Sequence, residues 1–173
     1  MKSKKNGYTL FEIMIVLGII IIIMTVTMRF SSSRIDDLQV QTSKDDFKNN
    51  YEQLLLSNMS SNYHNGERYS KLIIGMQSGF NGFTYTLEDE VGGSKIYTEF
   101  SNNKQIVNKI ITETEEQSEI QIQLTPYKIG CEISTENNSY SQAVIQTQAK
   151  NKTYCFTLDT NICKLESISC SQL

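Results

Sequence analysis

The sequence predicts an α+β fold: a long N-terminal helix, transmembrane in its first half and amphipathic in its second, packed on an antiparallel β-sheet head. Three patterns predict it. Residues 13–28 are almost wholly apolar, Phe47, Tyr51, Leu54, Leu55 and Met59 recur at helical spacing, and from Tyr69 onward apolar residues alternate with polar ones. The first pattern demands a membrane, the second a packed helix face, the third half-buried strands.

The apolar run comes first. Residues 8–28 number 21, and as a helix they extend about 31 Å, enough for the hydrocarbon core of a bilayer. Five consecutive isoleucines, Ile19 to Ile23, are poor helix formers in water because β-branching restricts χ1. In lipid the backbone must hydrogen-bond to itself, so the membrane enforces the helix. A secretory h-region is shorter and ends in small residues at a cleavage site, whereas this run ends in Arg29-Phe30-Ser31-Ser32-Ser33. Lys2, Lys4 and Lys5 precede the span, which places the N-terminus on the cytoplasmic side of the inner membrane and the rest of the chain outside.

Glu12 breaks the run. On insertion scales a carboxylate in a spanning helix costs on the order of 2.5–3.5 kcal/mol, and such residues are usually paired and functional. If the chain were cut after Gly7, Tyr8 would gain a free α-amine at the positive end of a helix. Glu12, four residues on, shares its face and would meet that amine or a neighbouring subunit's.

Gly7-Tyr8-Thr9-Leu10-Phe11-Glu12 followed by an apolar helix resembles the signature of type IV prepilins and of the pseudopilins of type II secretion, over about residues 1–30. The resemblance implies cleavage between Gly7 and Tyr8 by a membrane prepilin peptidase, N-methylation of Tyr8, and insertion of the helix into a filament core. Glu12 matches the glutamate that pairs with a neighbour's amine during assembly. The implied partners are the peptidase, other pilin or pseudopilin subunits, the inner-membrane assembly platform and membrane lipid. Two features depart from the pattern: Tyr8 stands where Phe is more frequent, and no proline follows near Arg29, where many major pilins bend. The latter favours a minor subunit, resembling the H-type pseudopilins and the FimT-like group. The chain then divides into a leader at 1–7, a transmembrane and polymerisation helix at 8–30, an amphipathic continuation at 31–63 and an exported β-rich head at 64–173.

Loss of the leader removes three lysines from a chain of formal net charge -3. The mature head is therefore acidic, and nucleic-acid binding, which rests on neutralising phosphates, is not expected.

The second half of the helix follows from its stripe. Phe47, Tyr51, Leu54, Leu55 and Met59 lie at i, i+4, i+7, i+8 and i+12 with polar residues between, a face made to pack on a sheet. Thr42 or Ser43 is a candidate cap, with Asp45 and Asp46 favourable after it. The sequence leaves open a break at residues 31–33 or at 42–43.

In the head, strands are predicted around Phe83-Tyr85-Leu87 and Ile96-Thr98-Phe100, joined by a hairpin turn at 88–93, and around Ile120-Ile122-Leu124. Tyr127, Ile129, Cys131 and Ile133 continue the alternation, and further strands are predicted at 72–76, 107–112, 143–149, 153–158 and 162–168. About eight short alternating strands point to antiparallel sheet.

Cys131, Cys155, Cys163 and Cys170 all fall in the head, and an even count outside the cytoplasm favours two disulfides. Cys155 and Cys163 flank a predicted turn at 159–161, which pairs them and leaves Cys131 with Cys170. Alternation puts Cys155 on the strand face opposite Phe156 and Leu158, suiting a bridge near the surface. No C-x-x-C pair exists and His64 is remote, so no metal site is expected. No catalytic constellation or phosphate loop stands out, so neither an enzyme nor a cofactor is expected. Two functional classes remain. One is a structural filament subunit, and the other is a membrane-anchored exported binding or adhesion module whose anchor stays uncleaved.

Overall fold

The computed structural model describes residues 9–64, 66–101, 106–113 and 115–172. The chain divides into two compact units, Met1–Gln39 and Val40–Leu173. Helix α1, Leu10–Ser60, keeps helical hydrogen bonding through both candidate break points. Residues 19–60 contain neither glycine nor proline, so nothing in the backbone chemistry forces a stop. Ser43 is accordingly no cap but a buried residue inside the helix.

In the first unit α1 contains a candidate span. Leu10–Met28 is long and apolar enough to cross a membrane, and none of it is buried. Its threonines are satisfied within the helix. The Thr25 hydroxyl donates to Ile21 O (2.7 Å) and that of Thr27 to Ile23 O (2.9 Å), so neither demands a partner in lipid.

The second unit holds the remainder of α1 and thirteen described strands: β1 (Tyr63–His64), β2 (Glu67–Arg68), β3 (Lys71–Gln77), β4 (Gly82–Glu88), β5 (Ser94–Ser101), β6 (Ile106–Thr112), β7 (Glu116–Gln117), β8 (Glu119–Leu124), β9 (Glu132–Ser134), β10 (Ser139–Tyr140), β11 (Gln142–Ala149), β12 (Lys152–Asp159) and β13 (Leu165–Ile168). They form a β1-β2 hairpin, a six-stranded sheet in the order β10-β9-β8-β3-β4-β5 and a five-stranded sheet in the order β13-β12-β11-β6-β7. Every pairing is antiparallel. The fold is α+β, as predicted. In β3 and β8 the alternation holds residue by residue: Leu72, Ile74 and Met76 register against Leu124, Ile122 and Ile120, all buried.

The helix stripe packs between the sheets. Phe47 and Tyr51 are fully buried. Phe47 meets Phe83 of the six-stranded sheet edge-on at 5.6 Å and Phe156 of the five-stranded sheet at 5.7 Å. Leu54 and Met59 cover the margin of the same core. Each buried ring contributes roughly 1.5–3 kcal/mol of transfer free energy, which holds this part of the helix in place.

Residues 127–131 are not a strand, contrary to the alternation in the sequence. Pro126 starts a turn closed by Lys128 N–H donating to Thr125 O (3.3 Å), and Tyr127 takes φ 63°. Proline followed by a positive φ is type II turn geometry, normally completed by glycine. The turn is tied to the end of α1: Tyr127 N–H donates to Asn58 O (3.2 Å), and the buried Asn58 Nδ2 donates to Thr125 O (3.2 Å). A last-turn helix carbonyl thereby gains a partner, which offsets strain on the order of 1–3 kcal/mol at Tyr127.

Candidate functional site

The N-terminus of α1 is built by two residues. Thr9 precedes the first helical residue, Leu10, and Glu12 is the third residue of the helix. Glu12 Oε2 accepts from Thr9 N–H (3.0 Å) and from the Thr9 hydroxyl (3.2 Å), while Glu12 N–H donates to Thr9 Oγ1 (3.3 Å). This is a reciprocal capping box, in which each side chain satisfies the other's otherwise unpaired backbone donor. It also sets a negative charge at the positive pole of the helix. Glu12 is thus held against the entrance of the helix, at the Thr9 N–H.

Thr9 is the residue that sequence reasoning passed over. Its signal was present, since Thr-x-x-Glu immediately before an apolar run is a capping-box pattern. The predicted site residues Gly7 and Tyr8 lie outside the described residues. Around Glu12 the side chains of Leu10, Phe11 and Met14 are strongly exposed. The arrangement therefore presents one oriented carboxylate on an apolar helix with no protein cover of its own.

The cysteines form two disulfides, with a pairing that differs from the expected one. Cys131 joins Cys163 and Cys155 joins Cys170, at Cα separations of 5.6 and 5.3 Å, both ordinary for a disulfide. The β12-β13 register explains why Cys155 does not reach Cys163. Leu158 pairs with Leu165 and Cys155 with Ile168, so the turn covers 159–164 instead of centring on 159–161. Cys163 falls inside that turn at φ 55°, fully buried. There its carbonyl accepts from the Tyr51 hydroxyl (2.9 Å), and burial pushes the Tyr51 phenol far above its ordinary pKa. Cys170 lies two residues beyond Ile168, in the 3-10 turn Cys170–Gln172 that packs on β12. Cys155 is consequently 1 % exposed and not near the surface as alternation implied.

The acidic turn between β4 and β5 is closed internally. Asp89 Oδ1 accepts from Val91 N–H (2.9 Å) and Gly93 N–H (2.7 Å), and Glu90 pairs with Arg68 at 3.4 Å. His64 Nε2 lies 3.1 Å from the Tyr85 hydroxyl. Among the described residues no group of three or more His, Cys, Asp or Glu side chains is placed to hold a metal ion.

No curated protein and no solved structure matches the chain. Residues 2–28 match the family model of the prokaryotic N-terminal methylation motif, so the chain carries at its N-terminus the leader motif of type IV prepilins and pseudopilins.

Proposed function

We propose that the chain is a structural subunit of a type IV pilus or a type II secretion pseudopilus, most simply a minor one. In this reading prepilin peptidase cuts between Gly7 and Tyr8, Tyr8 is N-methylated, and the helix passes from the membrane into a filament made with other pilin or pseudopilin subunits on an inner-membrane assembly platform. Lys2, Lys4 and Lys5 keep the precursor's N-terminus cytoplasmic, because drawing the helix outward would drag three ammonium groups into lipid. Cleavage removes them, and residues 8–30 then serve as anchor and polymerisation element while the head, 64–173, stays outside the cytoplasm. A structural role fits the motif, whose family is structural and not enzymatic.

The capping box between Thr9 and Glu12 supports this reading most directly. A carboxylate already fixed at the helix entrance needs little reorganisation to accept a neighbour's Tyr8 ammonium. The partner's ammonium would replace Thr9 N–H as donor, so that both members of the hydrogen bond carry charge instead of the carboxylate alone. The test compares wild type with Glu12→Ala in cells that express the cognate filament system. Wild type should lose residues 1–7 and gain a methyl group by intact mass, and Glu12→Ala should be processed alike yet be absent from sheared filaments. An intact wild-type N-terminus would instead mark an uncleaved anchor carrying an adhesion or binding head, and normal incorporation of Glu12→Ala would remove the pairing role.

A further inference from the structure

The two loops joined by Cys131–Cys163 enclose an open cleft of about 410 Å³ that the filament reading leaves without a role. Its walls are drawn from the segment 123–132, chiefly its residues 128–132, and from 160–161. Three features hold the two loops close, and a fourth stiffens the second loop. The disulfide is the first, and Cys131 N–H donating to Thr160 O (2.9 Å) is the second. Gly130, at φ 91°, is the third, since a Cβ there would stand 2.8 Å from Thr160 O. The fourth is the Asp159 carboxylate, whose Oδ1 accepts from both the Asn161 N–H (2.7 Å) and Nδ2 (2.8 Å).

Backbone strain concentrates here. Of the three non-glycine residues with positive φ among those described, Tyr127 and Cys163 belong to these two loops. Such conformations gather at ligand clamps, where surrounding structure over-determines them. The cleft's polar side chains are meanwhile unspent: Gln123, Thr125, Lys128, Glu132 and Thr160 make no side-chain hydrogen bond or ion pair among the described residues. Rigid walls that direct unused amides and hydroxyls into one recess are what a preorganised polar site requires.

We infer that this cleft binds a neutral oligosaccharide. Lys128 and Glu132 cancel in charge, so neither an anion nor a cation is selected. The amide of Gln123 and the hydroxyls of Thr125 and Thr160 can each both donate and accept, and exposed Ile129, at 75 %, supplies an aliphatic flank for the C–H face of a sugar ring. An extended peptide is disfavoured because the strand at the cleft has no open edge: Gln123 is already registered with Ile73 of β3 and with Glu132 of β9. The site is independent of the assembly reading and is tested on the full chain without filaments.

The full-length oxidised protein is purified in an amine-oxide detergent, since glucoside and maltoside detergents would themselves compete. It is titrated with cellotriose, chitotriose and lactose by ligand-observed saturation-transfer NMR, with sialyllactose as the anionic comparison. Saturable binding of a neutral sugar with Kd near 1 mM is expected, weakened about tenfold by Gln123→Ala and by Thr160→Ala. Both side chains are free of internal bonds, so both variants should melt as wild type does. The assignment is overturned if none of the three neutral sugars saturates, if both variants bind like wild type, or if sialyllactose binds more tightly than lactose.

Discussion

Residues 10–28 and 40–60 belong to one helix, yet different surroundings hold them. In the first stretch the large side chains are exposed, with Leu10 at 79 % and Ile22 at 65 %. In the second, Phe47 and Tyr51 are at 0 % and the stripe is spent on the head's core. Isoleucine-rich sequence in the first would be a weak helix in water, so its regularity depends on lipid or on neighbouring helices. The second is amphipathic and depends on tertiary packing. One hydrogen-bonding pattern can therefore carry two functions, with each stretch stabilised by a different partner.

Side-chain truncation breaks this comparison most sharply. Phe47→Ala removes a ring that touches both Phe83 and Phe156 and should destabilise the head by about 3–5 kcal/mol, a loss readable as a lowered urea midpoint in detergent. Ile20→Ala, in the exposed stretch, should leave that midpoint unchanged. Equal shifts for the two would mean that the stretches are not separately stabilised.

The same contrast explains what was legible in the sequence. The stripe and the strands β3, β4, β8, β11 and β12 were readable because burial imposes a period on side chains. Residues 127–131 imitated that period, but Pro126 and the backbone of Asn58 captured the segment as a turn, and alternation carries no information about a distant helix end. The disulfide pairing failed for a related reason. It depended on where the β12-β13 hairpin turns, and a shift of a few residues moves Cys163 out of register with Cys155. Glu12 was legible as an anomaly of charge, whereas Thr9, ordinary in composition, was marked only by its spacing to Glu12 in the Thr-x-x-Glu pattern.

Thr9 sharpens the comparison at the helix entrance. Thr9→Ala deletes the hydroxyl that receives Glu12 N–H and should cost the first turn about 1 kcal/mol. Amide hydrogen exchange of the micelle-bound protein should rise about fivefold at residues 11–13 and stay unchanged at residues 47–55, with Thr9→Ser restoring protection. Uniform exchange changes along α1 would contradict a local cap.

The smallest effect concerns the head's surface. Glu113 receives the Ser141 hydroxyl, the Ser141 N–H and a backbone hydrogen bond from Gln142, and the first of these does most to hold its carboxyl below the usual range. A carboxyl whose folded pKa is depressed contributes stability that is present above its unfolded value, near 4.3 for glutamate, and is lost as pH falls through the folded one. Ser141→Ala removes the leading contribution, so the Glu113 resonance in a 13C-observed titration should move its midpoint upward. The difference in urea midpoint between wild type and Ser141→Ala should then narrow below about pH 4. The carboxylate is fully exposed and screened by water, so this difference should be far smaller than that of Phe47→Ala.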